Sequence, residues 1–414
     1  MMLVAITIER ATWVWLQLRW RAQPSMAGYT EVVEWLIDGA QPASETREVV
    51  SGLCDRLVDS GIPVWRFGLF VLTLHPQIMG QAFLWKPGAD VDVVSASFET
   101  FKTEAFRQSP VRRVIDTRAP LRRKLEETSC PMDFEVTRDL RVQGATDYLA
   151  VPLLFARGAV HGATFATRQP GGFTDEQIAV IESIVGPLAR VVENRLLERT
   201  ASILLDTYVG KNAGSRILAG QIRRGDTDAI RAAIWLSDMR GFTSLADRLP
   251  PQTLVDMLNQ YFDRQVPAIV KHGGEVLKFI GDGLLAIFPI ASGDEDAQEV
   301  CENALAAAHE ARTAIASDLN EGGVRFGLAL HVGEVLYGNI GSGNRLDFTC
   351  IGPAVNLAAR IEKLTGEMKR TILASDEFVR YCSSQFLPVG EFELRGFGVA
   401  RSIFGLADEQ AGLA

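Results

Sequence analysis

Apolar positions recur along this chain at two periods, and the switches between them mark its elements. Val32, Val33, Trp35 and Leu36, then Val49, Val50, Leu53 and Leu57, predict two helices, the second over residues 45–57. Apolar runs at 64–74, 80–85, 147–155 and 160–167 predict strands. Together they predict an α+β domain of roughly 140 residues, an ordinary domain size. Thr174-Asp-Glu-Gln177 has the form of a capping box, so a helix is expected to start there. Ile178, Ile181, Val185, Leu188 and Val192 continue its stripe, Leu196 and Ile203 follow less regularly, and Gly186-Pro187 is expected to kink it. Part of that stripe must cover its own sheet, and the rest predicts a short parallel coiled coil with a second copy. Residues 208–226, with Gly at helix-end spacing, predict a turn, a short helix and a second turn.

Farther on, the run 232–236 reads as a buried strand ending on Ser237 and Asp238, which delivers a carboxylate to a strand end. Runs 276–280 and 284–288 join through Gly281-Asp282-Gly283, a hairpin pattern because Asp-Gly tolerates the positive φ of a tight turn. A helix over 252–270 is expected to bury Leu254, Val255, Leu258, Phe262, Val266, Ile269 and Val270 and to stop at His272-Gly-Gly. A second helix over 297–315 and strands over 325–332 and 334–340 complete a ferredoxin-like α+β core, with helices on one face of its sheet.

Taken singly, Asp282 is a turn residue and Asp238 fits a helix N-cap as well as anything else. If the hairpin pairs beside the first strand, however, the two carboxylates converge. Such a pair suits Mg²⁺, a hard cation that takes oxygen ligands and completes its shell with phosphate oxygens. Arg240-Gly-Phe242-Thr243 follows at a strand-to-helix junction, where backbone N–H groups favour a phosphate.

Composition narrows the classes. The 414 residues are 47% hydrophobic and 22% charged, enough for two or three domains. A net charge of −9 argues against a nucleic-acid binder held by a basic surface. Cys54, Cys130, Cys301, Cys350 and Cys382 show neither disulfide nor zinc spacing, which points to reducing cytoplasm. No apolar run reaches the ~18 residues of a membrane span. The stretch 1–20, with Trp13, Trp15 and Trp20 among polar residues, reads as an interfacial segment or as sequence ahead of a true start at Met26. Arg112, Arg113, Arg118, Arg122, Arg123 and Lys124 read as a solvated face or as an anion grip.

Three blocks carry a resemblance: Ser237-Asp-Met-Arg-Gly-Phe-Thr243, Leu277-Lys-Phe-Ile-Gly-Asp-Gly283 and Asp347-Phe-Thr-Cys-Ile-Gly-Pro-Ala-Val-Asn-Leu-Ala-Ala-Arg360. In this order, within about residues 227–406, they resemble the signature blocks of the class III nucleotidyl cyclases. That resemblance implies metal binding by Asp238, Asp282 and the carbonyl of Met239, with two Mg²⁺, or Mn²⁺, per site. It implies that Lys278 and Thr349 read adenine, hence ATP, since guanylyl cyclases carry Glu at the first position. Asn356 would place the ribose and Arg360 the transferring phosphoryl group, while Phe242 and Thr243 adjoin the phosphates. Arg395 stands nearest to a triphosphate-binding Lys of the family, and Arg345 lies close enough in sequence to the third block to touch the β- or γ-phosphate. Family sites form between two chains, so a homodimer is implied. The rivals are a guanylyl cyclase and an inactive sensor or regulatory subunit; the Gly-Gly-Asp/Glu-Glu-Phe hairpin of a diguanylate cyclase is absent.

The closing strands and exit helix of the first half resemble a GAF sensory domain, whose pockets take cyclic nucleotides, tetrapyrroles or small metabolites, or which serve only as dimer scaffolds. His75 and His161 read as strand-end surface residues or hydrogen-bonded ones rather than haem ligands. The expected layout is an extension over 1–28, a GAF-like domain over 29–172, a helical linker over 173–226, a cyclase domain over 227–408 and a tail over 409–414.

Overall fold

A computed structural model describes residues 27–317, 324–382 and 385–410. The tryptophan-bearing stretch 1–20 and the tail beyond 410 lie outside the described residues. The chain divides into two compact units between Ile203 and Leu204.

The first unit contains α1 (Ala27–Ile37), α2 (Thr46–Asp59), β1 (Arg66–Leu72), β2 (Ile78–Trp85), β3 (Asp92–Ser97), α3 (Glu104–Arg107), α4 (Pro110–Thr117), β4 (Leu121–Arg123), α5 (Glu135–Val142), β5 (Asp147–Leu154) and β6 (Val160–Thr167), and α6 (Asp175–Val209) leads out of it. Its six-stranded sheet runs β3-β2-β1-β6-β5-β4, every neighbour antiparallel. Strand alternation explains why both faces are buried. Leu149, Val151 and Leu153 of β5 pack under α1, α2 and the first turns of α6, while Tyr148 and Ala150 face Val114 of α4 and Leu140 of α5. The edge strand β3 is almost wholly exposed, so no apolar alternation announces it.

The capping box is present: Thr174 N–H donates to Gln177 Oε1 at 2.9 Å and Gln177 N–H to Thr174 Oγ1 at 3.3 Å. The helix it opens runs unbroken through Pro187. The basic cluster is partly structural, since Arg122 bonds buried Asp147 at 2.6 Å and the Phe173 carbonyl at 2.6 Å, and Arg123 holds Asp133 at 2.6 Å. Buried His161 accepts the Leu72 N–H at Nδ1, and His75 accepts that of Gln77. Both are therefore hydrogen-bonded, His161 near the start of β6 and His75 in the loop between β1 and β2.

The second unit adds α7 (Lys211–Leu218), β7 (Thr227–Met239), α8 (Phe242–Ala246), α9 (Pro251–Lys271), β8 (Glu275–Ile280), β9 (Gly283–Ile290), α10 (Gly293–Ser317), β10 (Phe326–Ser342), β11 (Arg345–Ile351), α11 (Pro353–Glu367), β12 (Ile372–Ser375), α12 (Asp376–Cys382), β13 (Phe386–Phe392) and β14 (Arg401–Leu406). Its sheet runs β13-β14-β12-β10-β7-β9-β8, with β11 paired to β10. Alternation along the central strand β7 sends Ala233 and Trp235 toward α9 and α10. Ala232 and Ile234 point the other way, into a smaller core with Ala213 of α7, Phe348 of β11, and Ala354 and Ala358 of α11. Helices thus cover both faces rather than one, because the β10–β11 hairpin and its following helix fold back over the sheet.

Two further expectations change. The strands expected at 325–332 and 334–340 are one strand, and Gly333 is a place of close approach rather than a break. A Cβ there would lie 2.6 Å from that of Ala354, so the glycine lets α11 sit against β10. On α9 the buried positions are Tyr261, Gln265, Ala268 and Ile269, whereas Val255 and Val270 are exposed on its flank. None of the described helices is long and apolar enough to cross a membrane.

Candidate active site

Asp238 is the penultimate residue of β7 and faces the α11 side of the sheet, in phase with Ala232 and Ile234. Its neighbours set its position. Ser237 pairs with Leu284 on β9, Asp238 itself with Gly327 on β10, and buried Ser237 Oγ donates to Gln265 Oε1 of α9 at 2.7 Å. Asp282 rides the tight β8–β9 turn, closed by pairing of Ile280 with Gly283 and permitted by Gly281 at φ 66°. Gly283 completes the fit, because a Cβ there would meet Asp238 Oδ1 at 3.2 Å and the Ser237 carbonyl at 3.1 Å.

The two carboxyl groups therefore meet. Burial pushes the Asp238 carboxyl up to about 6, and the negative charge of Asp282, then of Glu362, adds to that, while Arg240 opposes it. Two half-buried carboxylates that repel each other fit a divalent cation, which would relieve the repulsion through oxygen ligands. Among the described residues no third His, Cys or acidic group joins them in a metal-binding set. Two protein carboxylates leave most of a hard cation's shell to phosphate and water.

Arg240 fixes the turn after β7. Its N–H donates to the Arg325 carbonyl at 2.7 Å, and its guanidinium pairs with buried Glu362 at 2.9 Å and donates to the Glu362 carbonyl at 3.1 Å. Gly327 makes room for that side chain, since a Cβ there would overlap Arg240 Nη2. Phe242 packs on the α9 and α10 core, and Thr243 is exposed. Helix α8 is a single short turn of 5 residues, so its dipole offers a phosphate little.

The base-reading candidates also come together. Lys278 of β8 lies 3.5 Å from Asp347 of β11, and Thr349 is one strand repeat farther along, about 7 Å. Among the described residues the buried Thr349 hydroxyl has no hydrogen-bond partner, a costly state unless a ligand or a neighbouring chain supplies one. Sequence reasoning missed Asp347, although its period-two spacing from Thr349 was there to find it. Arg240 with Glu362 was missed too, because nothing local links residues so far apart.

Asn356 and Arg360 share a face of α11, and neither makes a hydrogen bond or ion pair among the described residues. Glu362 is turned by about 200° from Arg360 on the same helix. Since Glu362 faces Arg240 and the aspartates, Asn356 and Arg360 face away from their own chain's carboxylate pair. Arg345 pairs with Ser342 at one end of β10, whereas Asp238 pairs with Gly327 near the other. Arg395 is exposed in the loop between β13 and β14.

A central-strand carboxylate coupled to a hairpin carboxylate, with Lys278 on β8 brought close to β11 and its Thr349, is the arrangement that the class III nucleotidyl cyclase resemblance implies. Residues 227–404 match the family model for the adenylate and guanylate cyclase catalytic domain. Adenylate cyclase 1 of Rhizobium meliloti is 31% identical over 175 residues, 41% of this chain and 26% of its own length. An adenylate cyclase of Anabaena cylindrica is 32% identical over 164 residues, 39% of this chain and 33% of its own. The chain thus spans a third or less of these relatives. Among solved structures, the adenylyl cyclase CyaB from P. aeruginosa is 26% identical, with 44% of this chain and 96% of that one covered at a TM-score of 0.38. The guanylyl cyclase Cya2 is 29% identical, with 44% and 93% covered at the same TM-score of 0.38.

Proposed function

We propose that this chain is an adenylate cyclase, converting ATP to 3′,5′-cyclic AMP and pyrophosphate in a homodimer. The observation that carries the reading is the meeting of Asp238 with Asp282 in a domain whose base-reading strands bear Lys278 and Thr349 rather than a glutamate. Adenylate cyclases about 31–33% identical over this domain support ATP over GTP.

Asp238 and Asp282, with the Met239 carbonyl, would hold two Mg²⁺ or Mn²⁺ ions, which supply Lewis acidity at the ribose 3′-oxygen and on the triphosphate. Lys278 donates to the purine, and the buried Thr349 hydroxyl finds its hydrogen bond there. Asn356 orients the ribose. Arg360 offers its guanidinium to charge building on the α-phosphoryl group as the 3′-oxygen bonds to phosphorus and the bond to pyrophosphate breaks. The 3′-hydroxyl proton leaves to solvent, as no side chain stands out as a base. Arg345 and Arg395 remain candidates for the outer phosphates.

Because Asn356 and Arg360 face away from their own carboxylate pair, each site takes its aspartates from one chain and its Lys278, Thr349, Asn356 and Arg360 from the other. The first unit, with its antiparallel sheet and capped exit helix, is read as a GAF-like regulatory domain that takes a small molecule or pairs with its copy. Five thiols spaced without a disulfide pattern fit a reducing cytoplasm.

The test is turnover of ATP and of GTP by the full chain with Mg²⁺ and with Mn²⁺, followed by cyclic product. Faster formation of cyclic GMP than of cyclic AMP would reassign the substrate; neither product would leave the inactive-sensor reading.

A further inference from the structure

A charged cavity of the second unit lies behind Arg240, and neither Asp238, Asp282, Lys278, Thr349, Asn356 nor Arg360 lines it. It encloses about 520 Å³, and five cationic side chains line it: Arg240, Arg312, Arg325, Lys369 and Arg370. They come from the turn after β7, from α10, from the residue just before β10 and from the segment after α11. A volume of this size takes a small molecule.

Charge decides what kind. Glu362 answers Arg240, Asp408 answers Arg312, and Glu409 is held by the charges of both Arg312 and Arg370. The carbonyl ends of α10 and α11 point toward this region and offset about one further charge between them. Arg325 and Lys369 make no ion pair among the described residues, and Arg370, besides its pull on Glu409, donates to the Leu406 carbonyl. Thr365 and Thr371 add hydroxyls to the wall. Among the described residues five cationic side chains thus face three carboxylates and the two helix ends, an excess of about one positive charge, and a concave surface of guanidinium and ammonium groups with hydroxyl donors between them is the chemistry of a phosphate receptor.

We propose that this cavity binds a small phosphate-bearing anion, as a site separate from the catalytic one. Arg240 joins the two: it lines the cavity, grips Glu362 on α11 and stands two residues beyond Asp238. An anion seated there draws on the same guanidinium that steadies the end of β7.

The probe is inorganic pyrophosphate, titrated calorimetrically into the full-length protein in metal-free buffer, where the catalytic carboxylates cannot recruit it through a cation. Sodium chloride at matched ionic strength is the control. Saturable binding at a single site is expected, weakened at least tenfold in the Arg325→Ala/Lys369→Ala double variant and retained in Arg325→Lys/Lys369→Arg and in Arg360→Ala. Both pocket positions are exposed at the cavity rim, and an unchanged circular dichroism spectrum would show that the double variant is folded. Binding that Arg325→Ala/Lys369→Ala leaves intact, binding lost in Arg360→Ala, or heat no greater than that of sodium chloride would each overturn the proposal. None of these outcomes depends on whether the chain makes cyclic AMP.

Discussion

At the scale of single residues, the proposed chemistry rests on a few side chains whose surroundings differ sharply. Asp238 and Asp282 share one patch of half-buried space, so loss of either leaves the metals one carboxylate. Asp282→Ala is expected to lower cyclic AMP formation by ~10²-fold or more, on the scale seen when one preorganised electrostatic group is removed. Initial rates at saturating ATP check it. Lys278→Glu, combined with a change at Thr349, is expected to move preference from ATP toward GTP, read as a ratio of kcat/KM values. Buried His331 offers a pH test remote from the reaction. Burial holds its imidazole down to about 4, against the pull of Glu377 and with the aid of Arg401, and Nδ1 lies 2.7 Å from Ser375 Oγ. The folded pKa is depressed, so the unfolded chain binds the extra proton first. Stability is full above the ordinary histidine value of 6.5 and falls as pH drops from there toward about 4. The loss is on the order of 3 kcal/mol at most. His331→Asn should flatten that slope in denaturant unfolding; an equal slope in the variant would show that other groups set it.

At the scale of elements, local sequence chemistry was read well wherever one element's own pattern carried the signal. The capping box at Thr174 and Gln177 and the glycine-bounded short helix α7, between Gly210 at φ 90° and Gly220 at φ 95°, are both present. Thr174→Ala is expected to cost about 1 kcal/mol at the start of α6, or roughly fivefold in local opening. Hydrogen exchange of the first-turn amides would measure it, and unchanged exchange would mean tertiary packing alone holds that turn. Where burial comes from a distant partner, local pattern failed. Exposed β3 has no apolar alternation, and Gly333 reads as a break although it is the point where α11 meets β10. Val255 and Val270 are apolar and still exposed, because a helix stripe is cut by what packs on it.

At the scale of the whole molecule, the two units and their pairing decide the reading. Mixing Asp282→Ala chains with Asn356→Ala chains should restore about a quarter of wild-type activity after free exchange, since half the dimers are mixed and each has one working site. Two inactive variants that never rescue each other would remove the shared-site model. Ala213 of α7 is fully buried in the second unit, so a fragment testing regulation should begin near Leu204 rather than at residue 226. The amino-acid sequence by itself determined the α+β class, the strand end and hairpin that present Asp238 and Asp282, and the three blocks that carry the cyclase resemblance, because each depends on contacts within a short stretch. Only the tertiary structure decided that Lys278 meets Asp347, that Arg240 grips Glu362 and opens onto a basic cavity, and that Arg360 turns from its own aspartates. Those are relations between residues far apart in the chain, set by how β11 and α11 fold back over the sheet, and no local period encodes them.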